Sequence, residues 1–195
     1  MLFVHHRINS LSKLREIDNN YGVEIDIRSW NSSLILNHEA LENGEFFENW
    51  INECKNPLVI LNIKSEGIEE EVLKKIQESE FQGEYFFLDQ SFPFLVRTLS
   101  GGFTRTAVRV SEYESPDYLS ELNNQWVWLD SHTGDWSFLP RALTLSKATG
   151  KKICLASPEL HSRNPHQEIL EIQNVLNEFN LKLDAVCTKS PEIWN

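Results

Sequence analysis

Eight short runs rich in β-branched and aromatic residues recur along the chain, each followed by a stretch of helical periodicity. The runs are Met1–Val4, Val23–Ile27, Leu58–Ile63, Glu84–Asp89, Ala107–Ser111, Gln125–Asp130, Lys152–Ala156 and Leu183–Thr188. Between them, Leu11, Leu14 and Ile17 form one apolar stripe, with Asn9 or Ser10 placed to cap it. Gly44 to Cys54 reads as a second helix with Phe46, Phe47, Trp50 and Ile51 on one side. Glu66 to Phe81 and Pro165 to Phe179 are longer amphipathic helices, and those after the fourth and fifth runs are short. Strand–helix alternation of this kind specifies a parallel α/β sheet, because parallel strands need crossover connections. Eight repeats that close on themselves give a compact (β/α)8 TIM barrel with short loops, which places polar strand ends at one mouth. An open doubly wound sheet fits less well, since polar residues follow nearly every run.

A chain of 195 residues with no linker or low-complexity segment is expected to form a single domain over 1–195. Its 29 acids against 18 bases give a net charge of −11, which argues against nucleic acid as a partner. Cys54, Cys154 and Cys187 are odd in number and lack metal-ligand spacing, so neither a disulfide framework nor a cysteine zinc site is indicated. No apolar run approaches the roughly 18 residues of a membrane span, and the early His5 and Arg7 leave no signal-peptide core. A cytoplasmic protein with reduced thiols and no stable membrane association is expected.

The run Val23–Ile27 carries the sharpest chemical signal. Strand alternation puts Glu24 and Asp26 on one face and Val23, Ile25 and Ile27 on the other. Two adjacent acids on an apolar strand are costly unless a cation or proton offsets them. In a barrel, His5, His6, Arg7, Arg28, Asn62 and Lys64 would join them, with Asp89, Arg109, Asp130, Glu159 and Lys189 from later strand ends. Carboxylate oxygens favour a hard divalent cation, magnesium or calcium, over zinc.

In order and spacing these residues resemble the glycerophosphodiester phosphodiesterase family. That family has His-Arg after its first strand, Glu-x-Asp on the second, and a His followed by an acid on the return segment. Here His6-Arg7, Glu24-x-Asp26 and His38-Glu39, with His38 twelve residues after Asp26, match in turn. Asn62-x-Lys64 falls where the family has Glu-x-Lys, and Asp184-Ala-Val-Cys-Thr188 with Pro191 is similar to its last strand. The resemblance implies a metal-dependent phosphodiester hydrolase acting on a small phosphodiester. Glu24, Asp26 and Asn62 would hold Mg2+ or Ca2+, His6 and His38 would be general acid and base, and Arg7 and Lys64 would contact the phosphate.

Three departures separate the chain from the family pattern. Asn62 replaces a third metal-binding Glu, Ile8 replaces the Gly after His-Arg, and the insertion that often follows the return-segment His is absent. The loss at Asn62 keeps open an alternative, a catalytically degenerate barrel that binds a phosphorylated small molecule. His5 is read as a bystander by strand parity, and a Schiff-base role for Lys64 would leave the acid–histidine set without a purpose. Asp130 and His132 either extend the site or cap a loop. Glu159 and His161 carry no motif and are read as surface or rim, and Trp126 and Trp128 as core in preference to a substrate platform.

Overall fold

A computed structural model describes residues 1–194. Its contacts divide the chain into two compact units, one spanning Val4–Phe103 and the other joining Met1–Phe3 to the chain from Thr104 onward. Each contains four parallel strands carrying helices, so the architecture is mixed α/β.

In the first unit, β1 (Leu2–His5) leads into α1 (Leu11–Glu16), then β2 (Gly22–Trp30), β5 (Leu58–Ile63), α3 (Glu69–Glu78), β6 (Glu84–Leu88) and α4 (Phe92–Ser100). Strand β2 is central, pairing in parallel with β1 through Val4↔Gly22 and with β5 through Asp26↔Asn62. Between β2 and β5 the return segment and the second helix are joined by further pairing. β2 turns through Asn31 and Ser32 into antiparallel β3 (Ser33–Leu36), which pairs with the two-residue β4 (Glu45–Phe46) before α2 (Phe47–Glu53). Both turn residues have positive φ (45° and 65°), the backbone of a tight twisted hairpin. The helix expected from Gly44 therefore begins only at Phe47, and Phe46 lies half-exposed on β4. Gly44 has no substitute there, because a Cβ would sit 2.2 Å from the Leu36 carbonyl oxygen.

The apolar face of β2 makes the core of this unit. Val23, Ile25 and Ile27 are fully buried with Phe47, Trp50, Val59, Leu61 and Val72. The opposite face carries Glu24 and Asp26, both also buried. A strand buried on both faces cannot slip register without moving acids into the hydrocarbon layer. Ser10, rather than Asn9, caps α1 by accepting from the Lys13 N–H, which leaves the Asn9 side chain for other work.

In the second unit, β7 (Ala107–Val110), α5 (Tyr118–Glu121), β8 (Trp126–Leu129), α6 (Leu139–Thr149), β9 (Lys152–Ala156), α7 (Pro165–Glu178) and β10 (Ala185–Thr188) follow in order. Their pairing order is β7-β8-β9-β10, all parallel. Short 3-10 turns follow β9 (Pro158–His161) and β10 (Pro191–Trp194). Trp126 and Trp128 are buried, as their core assignment expects. Among the described residues no helix is long and apolar enough to cross a membrane.

Ile25 is fully buried between the two acids' positions, so Ile25→Ala removes core volume without touching the polar face. The expected loss is about 2–5 kcal/mol of unfolding free energy in urea titration; a loss under about 1 kcal/mol would show that this layer is not close-packed.

Candidate functional site

The polar face of β2 is built by neighbours on each side. Glu24 is held by three groups: the Arg7 backbone N–H on Oε2 (2.8 Å), the Asn62 side-chain amide on Oε1 (2.9 Å), and His6 Nε2 at 3.9 Å from Oε2. Asn62 reaches Glu24 because parallel pairing puts Asn62 beside Asp26 on the same face. Asp26 receives the Asn9 amide on Oδ2 (2.8 Å), and Asn9 Oδ1 in turn accepts the Asp26 backbone N–H (2.9 Å). Arg7 Nε lies 3.9 Å from Asp26 Oδ2, and Lys64 Nζ lies 3.5 Å from Oδ1. Lys64 is shared with Asp89, 3.6 Å away.

Burial is the dominant electrostatic fact. It pushes the Glu24 carboxyl up to about 7, and the charge of Asp26 adds to the rise; bonds from Asn62 and the Arg7 N–H and the charge of Lys64 pull the other way. Two oxygens on this face accept no hydrogen bond, Asp26 Oδ1 and Asn62 Oδ1, and both are buried. Buried acceptors left unsatisfied beside a carboxylate with a raised pKa are what a cation would relieve. Glu24, Asp26 and the Asn62 amide thus fit a hard divalent ion as oxygen donors, with solvent or substrate to complete the shell.

Arg7 adopts a left-handed backbone (φ 57°), an uncommon conformation for a residue with a Cβ. It turns the Arg7 N–H onto Glu24 and the Ile8 N–H onto the Glu24 carbonyl (2.8 Å), while the Ile8 side chain enters the core. The positive φ of the turn falls on Arg7, one residue before Ile8.

His38 follows β3, and its Nδ1 bonds Glu39 Oε1 (2.5 Å). That bond and the His38 charge, with smaller help from Arg7 and Arg28, hold the Glu39 carboxyl below its ordinary value. Arg28 fixes the segment by donating to the carbonyls of Asn37 (3.1 Å), His38 (2.6 Å) and Lys64 (3.2 Å). One guanidinium therefore ties the His38 backbone to the Lys64 backbone. His5 packs edge-on against Tyr21 (4.9 Å between ring centroids), consistent with its bystander reading.

Asn9 and Arg28 are the residues whose roles pattern reading did not assign. By sequence Asn9 is a cap candidate and Arg28 one more strand-end cation.

In the second unit, Asp130 is buried and bonds Arg109 Nη1 through Oδ2 and His161 Nε2 through Oδ1 (2.7 Å). Asp130, His132 and His161 each bring one ligand atom to within 4.8 Å of the others. His161 is exposed, as a surface or rim residue should be, and also bonds the buried Asp130. Glu159 ties the turn after β9 to the end of β10, accepting from Thr188 Oγ1 (2.5 Å) and the Lys189 N–H (3.1 Å).

No family model matches the chain, and no curated protein matches it in sequence. Its fold matches two crystal structures described as glycerophosphodiester phosphodiesterases. The one from Parabacteroides distasonis has a TM-score of 0.71 at 16% identity, covering 98% of this chain and 93% of that chain. The one from Thermotoga maritima has a TM-score of 0.65 at 15% identity, covering 99% of this chain and 95% of that chain. At these identities the likeness is one of fold.

The raised Glu24 carboxyl sets a sign for stability against pH. A folded-state pKa above the unfolded value contributes stability below the ordinary carboxylate range that is lost as pH rises toward about 7. In chelator, the thermal midpoint of the wild type should fall relative to Glu24→Gln between about pH 5 and pH 7.5. Parallel midpoints would contradict the assignment.

Proposed function

We propose that the chain is a metal-dependent phosphodiesterase of the glycerophosphodiester type, a single domain closed as a (β/α)8 barrel and acting on a small soluble phosphodiester. The observation that carries the reading is the buried Glu24–Asp26 pair, with Asp26 Oδ1 and Asn62 Oδ1 accepting no hydrogen bond, beside His6, on a fold shared with two glycerophosphodiester phosphodiesterases.

Glu24, Asp26 and Asn62 hold the cation, Mg2+ or Ca2+. When bound, it supplies positive charge against the non-bridging phosphoryl oxygens, where negative charge grows during displacement. The guanidinium of Arg7, near Asp26 yet 43% exposed, is placed to meet a phosphoryl oxygen. Lys64 balances Asp26 and Asp89 and offers its ammonium to the same anion. In its neutral form His38 donates its Nδ1 proton to Glu39, which leaves Nε2 as the acceptor nitrogen and suits it to take a proton from the attacking hydroxyl. His6, within reach of Glu24, returns a proton to the leaving oxygen. Arg28 keeps the His38 segment in register with the Lys64 strand end. The three buried free cysteines suit a reducing, cytoplasmic setting.

A second reading is favoured by one observation. Asn62 donates to Glu24 and Lys64 lies against Asp26, so the protein's own groups partly neutralise the acids. On that reading the barrel binds a phosphorylated small molecule without turning it over.

Hydrolysis of glycerophosphodiesters and of an aryl phosphodiester, with magnesium or calcium, separates the two. His6→Ala and His38→Ala should each lower kcat by about 10²–10⁴-fold. Equal activity in all three proteins, or none with either metal, would remove the enzyme reading.

Position 62 gives an independent check by calorimetry. Asn62→Glu restores an anionic ligand and should tighten Mg2+ or Ca2+ binding; unchanged affinity would show that residue 62 is not a ligand.

A further inference from the structure

The second unit contains a donor set that the phosphodiesterase reading does not use. Asp130 ends β8, His132 lies two residues on, and His161 closes the 3-10 turn after β9. One ligand atom from each lies within 4.8 Å of the others. Tetrahedral ligands at zinc-like bond lengths are spaced about 3.3 Å apart. Closing the set therefore needs His132, an exposed side chain, to swing inward, and the 2.7 Å Asp130–His161 contact to open slightly.

The surroundings fix the backbone of the 131–134 loop and the Asp130 carboxylate. Glu112 accepts the backbone N–H of His132 (3.2 Å) and both the N–H and hydroxyl of Thr133 (2.7 Å each). Gly134 N–H bonds Ser131 Oγ (2.9 Å), and Arg163 donates to the His132 carbonyl (3.2 Å). Arg109 fixes the Asp130 carboxylate through its other oxygen. Fixed loops around ligating side chains are how proteins pre-orient metal donors.

Charge selects the kind of ion. Arg109 already offsets the Asp130 carboxylate, so little net negative charge is left to hold Mg2+ or Ca2+. Binding would rest on two imidazoles and one carboxylate oxygen, a donor set that suits borderline ions such as Zn2+. We propose that Asp130, His132 and His161 form a binding site for a single zinc-class divalent ion, with a coordination position left for water or an anion. As the ion enters at His161 Nε2, the proton on that nitrogen moves by way of solvent to Nδ1, and the imidazole stays neutral. The proposal uses no residue of the Glu24–Asp26 set and does not depend on the phosphodiesterase reading.

The test uses tag-free full-length protein, titrated with Zn2+ against a chromophoric chelator, and with Co2+ read by visible absorption. One equivalent of Zn2+ should bind the wild type, and Co2+ should give the intense spectrum of a four-coordinate nitrogen–oxygen site. Each of Asp130→Asn, His132→Ala and His161→Ala should weaken Zn2+ by on the order of 100-fold, and Glu112→Gln by about 10-fold. Asp26→Asn should leave the equivalent unchanged. Zinc uptake that persists in both histidine variants, or that is lost in Asp26→Asn, would overturn the proposal. So would a wild type that takes up no zinc. If the variants fail to fold, the wild-type Co2+ spectrum decides: a weak six-coordinate spectrum refutes the site.

Discussion

Everything around β2 follows from one constraint, the burial of Glu24 beside Asp26 on a strand whose other face is the hydrocarbon core. Neither acid can be turned to solvent without pulling Val23, Ile25 and Ile27 out of the core. The protein therefore brings compensation to the acids: a backbone N–H from the strained Arg7 turn, amides from Asn9 and Asn62, and the cations of Arg7 and Lys64. That compensation is incomplete, since Asp26 Oδ1 and Asn62 Oδ1 accept no hydrogen bond.

An incompletely satisfied pair of buried acids is a poor device for stability. Removing both would be the simpler route to a stable strand, because apolar replacements avoid the desolvation cost. Keeping them makes sense where an incoming cation and an anionic substrate supply what the fold withholds. The strain at Arg7 has the same character: a non-glycine left-handed residue is retained where it aims an N–H at Glu24.

The parts of this arrangement that could be read from sequence are those governed by local period. Alternation along Val23–Ile27 separated the acids from the core, and the eight strand runs lie within a few residues of eight observed strands. Local reading was weaker where two roles competed for neighbouring residues. Asn9 and Ser10 are both good caps, and only the fold shows that Ser10 caps while Asn9 turns to Asp26. The β2–β3 hairpin carries only a weak local signal, a pair of positive-φ residues, Asn31 and Ser32, without a glycine. Arg28 and His161 were underread for a different reason: their partners lie up to 36 and 31 residues away. Such pairings depend on strand order, which periodicity does not carry.

The central claim is that the polar face of β2 is completed by a hard divalent ion and not by the protein's own cations. Crystals grown in calcium test it most directly, through anomalous density. The account predicts an ion bound by Glu24, Asp26 and Asn62 Oδ1 at about 2.3–2.6 Å, with Lys64 displaced toward Asp89. An empty polar face, with Lys64 Nζ settled between Asp26 and Glu24 at saturating calcium, would contradict it.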